Sequence, residues 1–192
     1  MPRPTLVKSR VERAAIELFA AKGVDGVSIG EIASLAGVSQ GALYRHHPSK
    51  EGLARTLFST AYLQIGAELN GIRGRESDFN GRLQSMVAHF CALYDADPAL
   101  FRFLLLAQHN FLAALGDDPS HPPAVIGRVV ADAIATGELA QIDPPLGAAV
   151  IMGVVLQTAT FHLYGRLAGP LIGRADSLAR AALAAVNALG QR

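Results

Sequence analysis

The sequence predicts an all-α protein of about nine helices, with a small N-terminal helix-turn-helix domain followed by a larger helical body. Apolar residues recur at helical spacing along almost the whole chain of 192 residues, and no stretch has the alternation typical of a β-strand. Hydrophobic residues make up 51% of the chain and charged residues 17%, which excludes intrinsic disorder.

The first helix is indicated by apolar residues that repeat on one helical face between Val7 and Phe19. Lys22 supplies a positive charge suited to the C-terminal end of this helix. Gly23 can adopt the left-handed conformation that commonly ends a helix, so we expect the first helix to end here.

Two short helices follow, and a glycine turn separates them. Ser28 and Glu31 have the spacing of a capping box, which predicts a second helix that runs to about Ala36. Gly37 can take the positive φ of a tight turn. Ser39 then caps a third helix that ends near residue 47. This order of elements is typical of a helix-turn-helix.

The rest of the chain consists of longer helices separated by clusters of glycine, proline and charged residues. Ser49 caps the fourth helix, and proline opens several of the later ones. A loop is expected at residues 71–81. The predicted helices are 50–70, 82–95, 98–115, 123–137, 144–168 and 175–189.

The outer side of the third helix is polar. In a helix-turn-helix this helix must stand clear of the body to enter the major groove of DNA. Gln40 can bond bidentately to adenine and Arg45 to guanine, whereas Tyr44 can give its hydroxyl to a phosphate. His46 completes the polar set. Ordinary helical hairpins can have the same pattern, so the pattern alone leaves both structures open.

Four short motifs stand at fixed spacing in this region: Ile32-Ala33, Ala36-Gly37-Val38-Ser39, Gly41-x-Leu43-Tyr44 and Pro48-Ser49-Lys50-Glu51-x-Leu53. Together they resemble the DNA-binding domain of TetR-family transcriptional regulators over about residues 8–55. Beyond this stretch the chain resembles the family in its length, in its all-helical pattern and, weakly, in Gly165-Arg166-Leu167.

The resemblance implies a homodimer that binds double-stranded operator DNA, and a small-molecule effector that releases it. It implies a DNA-binding domain at residues 1–49 and a ligand-binding and dimerisation domain at 50–192. Base edges are expected to meet Gln40 and Arg45. The full predicted DNA-binding set adds backbone contacts and a phosphate-facing cap: Ser28, Ser39, Gln40, Gly41, Tyr44, Arg45, His46 and Lys50.

Two positions depart from the family pattern. His47 stands where the family usually has an apolar residue packed beneath the recognition helix, so it is either a core histidine or an additional DNA contact. Gly30 stands where some members have a side chain that reads a base. A glycine cannot do this, so base readout is left to the third helix, with an N-terminal arm at Arg3 as an open addition.

The charge distribution is uneven although the net charge is only +1. Residues 1–55 have eight basic and five acidic side chains, whereas residues 56–192 have nine basic and eleven acidic side chains. A basic head fits a polyanionic partner. A chance asymmetry of a few charges remains the alternative. A structural nucleoid protein would require a much stronger positive charge.

Two helices of the body predict a dimer interface. Residues 150–156 are apolar on all sides of their helix, so this helix must be buried on two sides, and one side calls for a partner. The last helix has a stripe of small residues that allows close approach. A monomeric core is the alternative. The predicted interface residues are Val154, Thr158, Leu178, Ala182, Ala185 and Leu189.

Polar and aromatic residues within apolar helices predict an effector pocket, because ligand pockets are mostly apolar with a few placed polar groups. No carboxylate stands out among them, which favours a neutral or apolar effector. The predicted ligand-binding residues are His89, Tyr94, Phe103, His109, Asn110, Gln157, Phe161 and His162.

The sequence predicts no catalytic residue, metal or cofactor. The histidines and the single cysteine, Cys91, contain no pair at the helical spacing of three or four that a metal site would use. One cysteine also excludes an internal disulfide framework. A transcriptional activator of the same type, or a helical enzyme with a His/Cys site, remains the alternative to a repressor.

A cytoplasmic location is expected. Prolines aside, the longest stretch without polar side chains is Leu146–Leu156, which is shorter than the roughly 18 residues of a membrane span. No apolar signal core follows the first residues, so export is not expected.

Overall fold

The computed structural model describes residues 4–190, apart from the side chains of residues 4–6, His46 and Ala114. Within this range the chain forms nine α-helices and a 3-10 helix at Leu171–Arg174, without a strand. The all-α prediction is confirmed. The helices are α1 (Pro4–Lys22), α2 (Ile29–Ala36), α3 (Gln40–His46), α4 (Lys50–Arg75), α5 (Phe79–Ala96), α6 (Pro98–Leu115), α7 (Pro122–Ala135), α8 (Pro144–Leu163) and α9 (Ala175–Leu189).

The starts of the N-terminal helices follow their capping residues. At α2 the Ser28 Oγ accepts a hydrogen bond from the backbone N–H of Glu31 at 3.2 Å, and the Glu31 carboxylate accepts from the Ser28 N–H at 2.8 Å. Ser39 and Ser49 accept in the same way at the starts of α3 and α4, at 3.2 and 3.0 Å. The predicted capping box is therefore confirmed, because both of its reciprocal bonds are present.

The end of α4 differs from the prediction. The helix continues to Arg75, whereas the glycines and charges of residues 71–81 predict a loop. Ile72 is buried, and the Arg73 guanidinium donates to the Asp132 carboxylate at 2.8 Å. These tertiary contacts outweigh the cost of about 1 kcal/mol for each glycine inside a helix.

Other boundaries shift by a few residues. Helix α8 ends at Leu163 and not at residue 168, because Gly165 already takes a left-handed conformation with a φ of 68°. Gly169 is a second left-handed glycine, with a φ of 77°, and lies outside the helix. Helix α5 begins earlier than predicted because Asp78 caps it, and its carboxylate accepts from the Gly81 N–H at 2.8 Å.

One compact unit comprises residues up to Tyr62 together with Pro98–Gly116. It therefore holds α1, α2, α3, the first half of α4, and α6. Its core is aromatic: the Phe103 ring stacks on Phe19 with centroids 5.7 Å apart and meets the edge of Phe58 at 6.5 Å. All three side chains are fully buried.

A second compact unit comprises Leu63–Asp97 and the residues from Asp117 onwards. Within it α8 packs against α7 and α9, and α5 packs against α9. The Asp95 carboxylate fixes the 3-10 helix to α5, since it accepts from the backbone N–H groups of Leu171 at 3.0 Å and Ile172 at 2.8 Å. Buried valines and alanines of α7, α8 and α9 fill this core.

Helix α8 is unusually apolar for its exposure. Its mean hydropathy is 1.6 over an 18-residue window, of which only 28% of the residues are buried. Among the described residues, α8 is the one helix whose length and composition would allow it to cross a membrane. The expectation that no segment spans a membrane rests on the length of uninterrupted apolar runs. A hydropathy averaged over a window is less sensitive to single polar residues such as Gln157, Thr158 and Thr160. A core helix of a globular protein passes the same test.

Candidate nucleic-acid interface

The turn between α2 and α3 brings the two helices close together. Gly37 has a φ of 64°, and its N–H donates to the Ser34 carbonyl at 3.1 Å. The Val38 N–H donates to the Ala33 carbonyl at 2.9 Å, and the Ala33 side chain is buried beneath the turn. The left-handed conformation favours glycine, so the predicted role of Gly37 is confirmed.

Arg10 of α1 holds this turn from outside. Its guanidinium donates to the carbonyl oxygens of Ala36 and of Gly37, the latter at 3.1 Å. A Cβ built on Gly37 would lie 2.5 Å from the guanidinium, so the glycine also leaves room for Arg10. No local sequence signal points to Arg10, because its partners lie 26 and 27 positions away.

Helix α3 presents a polar outer side. Gln40 and Arg45 are exposed, and Tyr44 is 50% exposed, whereas Leu43 is buried against the unit. The His46 side chain lies outside the described part of the chain. The three described residues thus occupy positions from which side chains can reach the edges and backbone of a DNA groove.

Ser28 is occupied by its own cap. Its hydroxyl donates to the Glu31 carboxylate at 2.8 Å, and the Lys22 ammonium donates to the same carboxylate at 2.7 Å. The Lys22 ammonium, together with the N–H and hydroxyl of Ser28, lowers the pKa of Glu31 to about 2. A hydrogen bond from Ser28 to a phosphate would require its hydroxyl to leave Glu31.

Ser39 and Lys50 are arranged differently. The Ser39 hydroxyl acts as an acceptor in its cap, which leaves its hydrogen to donate to another group. The Lys50 ammonium donates to the Asp25 carbonyl at 3.0 Å and lies 3.9 Å from the Glu51 carboxylate. At Gly41 an added Cβ would meet nothing within 4 Å, so the backbone there is open to an approaching surface.

The two departures from the family pattern have distinct surroundings. His47 is the C-terminal cap of α3, its N–H donates to the Leu43 carbonyl at 2.9 Å, and its side chain is partly exposed. It therefore does not lie in the buried core. Gly30 faces the side chain of Gln40, which comes within 2.8 Å of where a Cβ would be. Arg3 lies outside the described residues.

The positive charge of this unit is concentrated in a few side chains. Arg10 and Arg45 hydrogen-bond to the carbonyls of Gly37 and Gly41, which are neutral, so their charges remain uncompensated. Three other basic side chains face carboxylates, which cancels most of their field at a distance. These pairs are Lys8–Glu12, Arg13–Glu17 and Lys22–Glu31.

Three predicted effector residues lie in the unit that carries the helix-turn-helix. Phe103 is part of its aromatic core, whereas His109 and Asn110 are exposed on α6. A fully buried ring that fills a core has no surface to offer a ligand without repacking. The structure therefore gives Phe103 a packing role that the sequence analysis did not foresee.

The other predicted effector residues lie in the second unit, mostly with partners of their own. His89 contacts the Glu68 carboxylate at 2.9 Å. His162 Nε2 lies 2.8 Å from the Gly169 carbonyl, which can only accept, so in the neutral imidazole Nδ1 accepts from the Tyr94 hydroxyl at 3.0 Å. The remaining two, Gln157 and Phe161, are exposed on α8.

An open groove of about 470 Å³ lies at the N-terminal halves of α7 and α8. Its walls are almost entirely apolar, and none of the predicted effector residues contributes to them. The Arg128 guanidinium at its edge donates to the Pro119 carbonyl. The groove is lined by Pro123, Ala124, Gly127, Arg128, Ala131, Pro144, Pro145 and Ala148.

The predicted interface residues divide into two groups. Ala182 is fully buried within its own unit, so its side chain has no surface to give to a partner, and its prediction is corrected to a core position. Neighbouring turns of an alanine-rich helix are alike in sequence, so the pattern does not distinguish a core position from an interface position. The partly exposed residues are Val154, Thr158, Leu178, Ala185 and Leu189.

The residues that could support an enzyme are not assembled into a site. Cys91 is fully buried, and burial together with the nearby Asp95 raises the pKa of its thiol to about 11, so it is protonated at neutral pH. Within residues 4–190 no group of three His, Cys, Asp or Glu side chains could hold a metal ion.

A family model described as bacterial regulatory proteins of the tetR family matches residues 13–57. This match covers α2 and α3, about half of α1 and the start of α4, and therefore includes the turn and the polar helix described above.

Two curated relatives and one solved structure extend this comparison. An uncharacterised HTH-type transcriptional regulator of Bacillus subtilis is 41% identical over 75 residues, 39% of this chain and 25% of that protein. An HTH-type transcriptional repressor of Streptomyces coeruleorubidus is 27% identical over 178 residues, 92% of this chain and 61% of the repressor. The chain thus matches less than two thirds of either relative.

The solved structure is the transcriptional regulator FadR from Bacillus subtilis in complex with stearoyl-CoA. It superposes with a TM-score of 0.78 at 19% identity and covers 93% of this chain and 99% of that one. This similarity extends the shared fold from the helix-turn-helix to almost the whole chain.

Proposed function

We propose that the chain, whose residues 13–57 match the tetR-family model, is a cytoplasmic TetR-family repressor that a small apolar effector releases from operator DNA. The observation that carries the proposal is the exposed polar side of α3, held by the Gly37 turn and by Arg10. The repressor from Streptomyces supports the direction of regulation. A reporter assay tests it, since an activator would lose expression on deletion where a repressor gains it.

The DNA contacts of α3 are tested by a pair of substitutions. Gln40→Ala removes a side chain placed to read a base, so it should cost about 1–3 kcal/mol and relax one operator position. Tyr44→Ala removes a hydroxyl placed at phosphate, so it should weaken all duplexes to a similar degree. Binding selection from randomised duplex DNA measures both. Identical base preferences in both variants and the wild type would remove Gln40 from the readout.

A homodimer is supported by the outer surface of α8 and α9. Phe161 is 50% exposed and Leu146 is 47% exposed, on a helix with few polar side chains. Small or apolar residues of the same two helices, such as Val154 and Ala185, are partly exposed. A two-fold contact would cover this surface on both copies at once, and two helices from each copy would form a four-helix interface.

Ala185→Glu tests this interface. A two-fold axis brings the two introduced carboxylates into the same contact, and burying unpaired charge costs several kcal/mol, so we expect monomers in light scattering. Ala92→Glu is the matched control, because Ala92 is exposed on α5 in the same unit. A dimer that survives Ala185→Glu places the contact elsewhere. Insolubility without detergent would instead indicate that α8 meets lipid.

An apolar effector is supported by the composition of the interior. No polar or charged residue is buried among the described residues, so a charged ligand would find no enclosed partner. The related fold that holds stearoyl-CoA shows that such an architecture can accommodate an acyl chain. Stearoyl-CoA is therefore a suitable probe, with free coenzyme A as the control for its polar part.

Coupling between effector and DNA is tested by linkage. If the effector favours a DNA-free arrangement, operator DNA must weaken effector binding by the same factor, typically corresponding to about 1–3 kcal/mol. Calorimetric titration of stearoyl-CoA with and without operator measures this factor. Equal affinities would mean that the bound molecule fills a cavity without regulating DNA binding.

A further inference from the structure

Gly30 and Gln40 occupy the same small space between α2 and α3. A Cβ built on Gly30 would lie 2.8 Å from the Nε2 atom of Gln40, 3.6 Å from its Cδ and 3.8 Å from the Ser28 Oγ. Real Cβ atoms essentially never approach a neighbour within 3.0 Å. The terminal amide of Gln40 therefore lies in the volume that any side chain at position 30 would fill.

The backbone on both sides of this contact is held by other residues. The start of α2 is fixed by the capping box of Ser28 and Glu31, and the start of α3 by the Ser39 cap. The intervening turn is fixed by Gly37 and Arg10. The free variable that remains is the conformation of the exposed Gln40 side chain.

We propose that Gly30 is a positioning residue that sets where the Gln40 amide lies, and thereby which base Gln40 prefers. This inference rests on the proposed DNA-binding function. A glutamine reads adenine only when its amide is presented with both donor and acceptor at the base edge. A side chain at position 30 would exclude the conformation in which this amide rests against α2.

The contact predicts a change in specificity without a loss of fold. The atoms nearest to the added Cβ belong to the flexible end of Gln40, which can rotate away, and not to backbone. Alanine is also the better helix former. Gly30→Ala should therefore retain or raise the thermal midpoint while it moves the Gln40 amide.

The test is a double-mutant comparison on randomised duplex DNA. The variants are Gly30→Ala, Gln40→Ala and the double substitution, and Gly74→Ala is the matched control because an added Cβ there meets nothing within 4 Å on α4. We expect Gly30→Ala to change the base ratio by about tenfold at the operator position that Gln40→Ala relaxes. In the Gln40→Ala background, Gly30→Ala should change this ratio by less than about twofold.

A second readout does not depend on DNA. The side-chain amide resonances of Gln40 should shift in Gly30→Ala and stay in place in Gly74→Ala. Unchanged resonances together with an unchanged base ratio in Gly30→Ala overturn the inference. So does an equal effect of Gly30→Ala with and without Gln40, since Gly30 would then act by another route.

These outcomes are separable from failure of the proposed function. A wild-type protein that enriches no sequence from the duplex library overturns the DNA-binding proposal, and this inference falls with it. A wild-type protein that enriches a defined sequence, while Gly30→Ala enriches the same one with the same ratios, overturns only the role of Gly30.

Discussion

The helix-turn-helix and the α8–α9 pair are held together by different kinds of contact. Helices α2 and α3 have 8 and 7 residues, and side-chain hydrogen bonds fix them: Ser28 and Ser39 accept from backbone N–H groups, and Arg10 donates to a backbone carbonyl. Helices α8 and α9 have 20 and 15 residues and are held by apolar packing on one side. A hydrogen bond specifies where its donor and acceptor lie. Apolar packing requires only that one side of the helix is covered, and does not specify by which residues.

This difference decides what each region tolerates. A cap or a turn is lost when a single donor or acceptor is removed, and the cost is small and local. A core is lost when volume is removed, and the cost is larger and shared by many neighbours. Substitutions at matched positions distinguish a lost cap from a lost core contact.

The largest effect is expected from Phe103→Ala. Truncation removes the ring that joins Phe19 and Phe58 in the first unit, which should lower the free energy of unfolding by about 3–5 kcal/mol. Phe161→Ala is the control, since this ring is 50% exposed and the fold of one copy should hardly depend on it. Denaturant unfolding measures both. If the Phe103→Ala protein were stable but bound the effector more weakly, Phe103 would be a ligand-binding residue, as the sequence predicts.

A smaller effect is expected from Ser28→Ala. Loss of the α2 cap should lower the free energy of unfolding by about 1 kcal/mol, because the amide of Glu31 loses its acceptor. Ser34→Ala on the same helix is the control, and there alanine should be neutral or slightly stabilising. Equal effects of the two substitutions would mean that side-chain caps do not hold the helix-turn-helix.

In the second unit, Tyr94→Phe should cost about 0.5–1.5 kcal/mol. It removes only the hydroxyl that donates to His162 Nδ1 and retains the buried ring. Tyr164→Phe is the control, because Tyr164 is 64% exposed. Thermal unfolding measures the difference. A larger loss than that of Ser28→Ala would show that directional bonds matter as much in this unit as in the helix-turn-helix.

The smallest effect is the loss of stability expected at low pH, when Glu31 takes up a proton. The pKa of Glu31 is lowered from 4.5 to about 2, so its carboxylate stays ionised in the folded chain well below the pH at which the unfolded chain takes up the proton. Its contribution to stability is present above pH 4.5 and is lost as the pH falls towards 2. Carboxyl NMR should show the low midpoint, and Lys22→Ala should raise it. Lys8→Ala should not.

The sequence predicts those features of the molecule that depend on residues close to one another in the chain. The starts of α2, α3 and α4 follow serine caps, and the turn follows a glycine, because each of these features involves residues a few positions apart. The hydrogen bonds from Arg10 to the Gly37 turn are not predicted, because the partners of Arg10 are distant in sequence. The extension of α4 to Arg75 is not predicted for the same reason, since the Asp132 carboxylate that stabilises it lies on another helix.

The candidate effector and interface residues are harder to predict because sidedness is not local information. Ala181 and Ala182 are adjacent and identical in chemistry, yet the first is exposed and the second is fully buried. Likewise Tyr94 and His162 are both polar groups in apolar helices, and the structure pairs them with each other. Periodicity identifies a stripe but does not say whether a core, a ligand or a partner covers it.

The membership of α6 in the first unit has a consequence for synthesis of the chain. Phe103 and Phe111 complete the aromatic core around Phe58, but they follow Tyr62 by dozens of residues. At ribosomal rates α6 emerges roughly 3–10 s after the helix-turn-helix. A fragment that ends at Tyr62 would keep every predicted DNA contact but would lack Phe103 and Phe111, which pack against Phe58. The nascent chain must therefore carry its helix-turn-helix incompletely packed until α6 arrives.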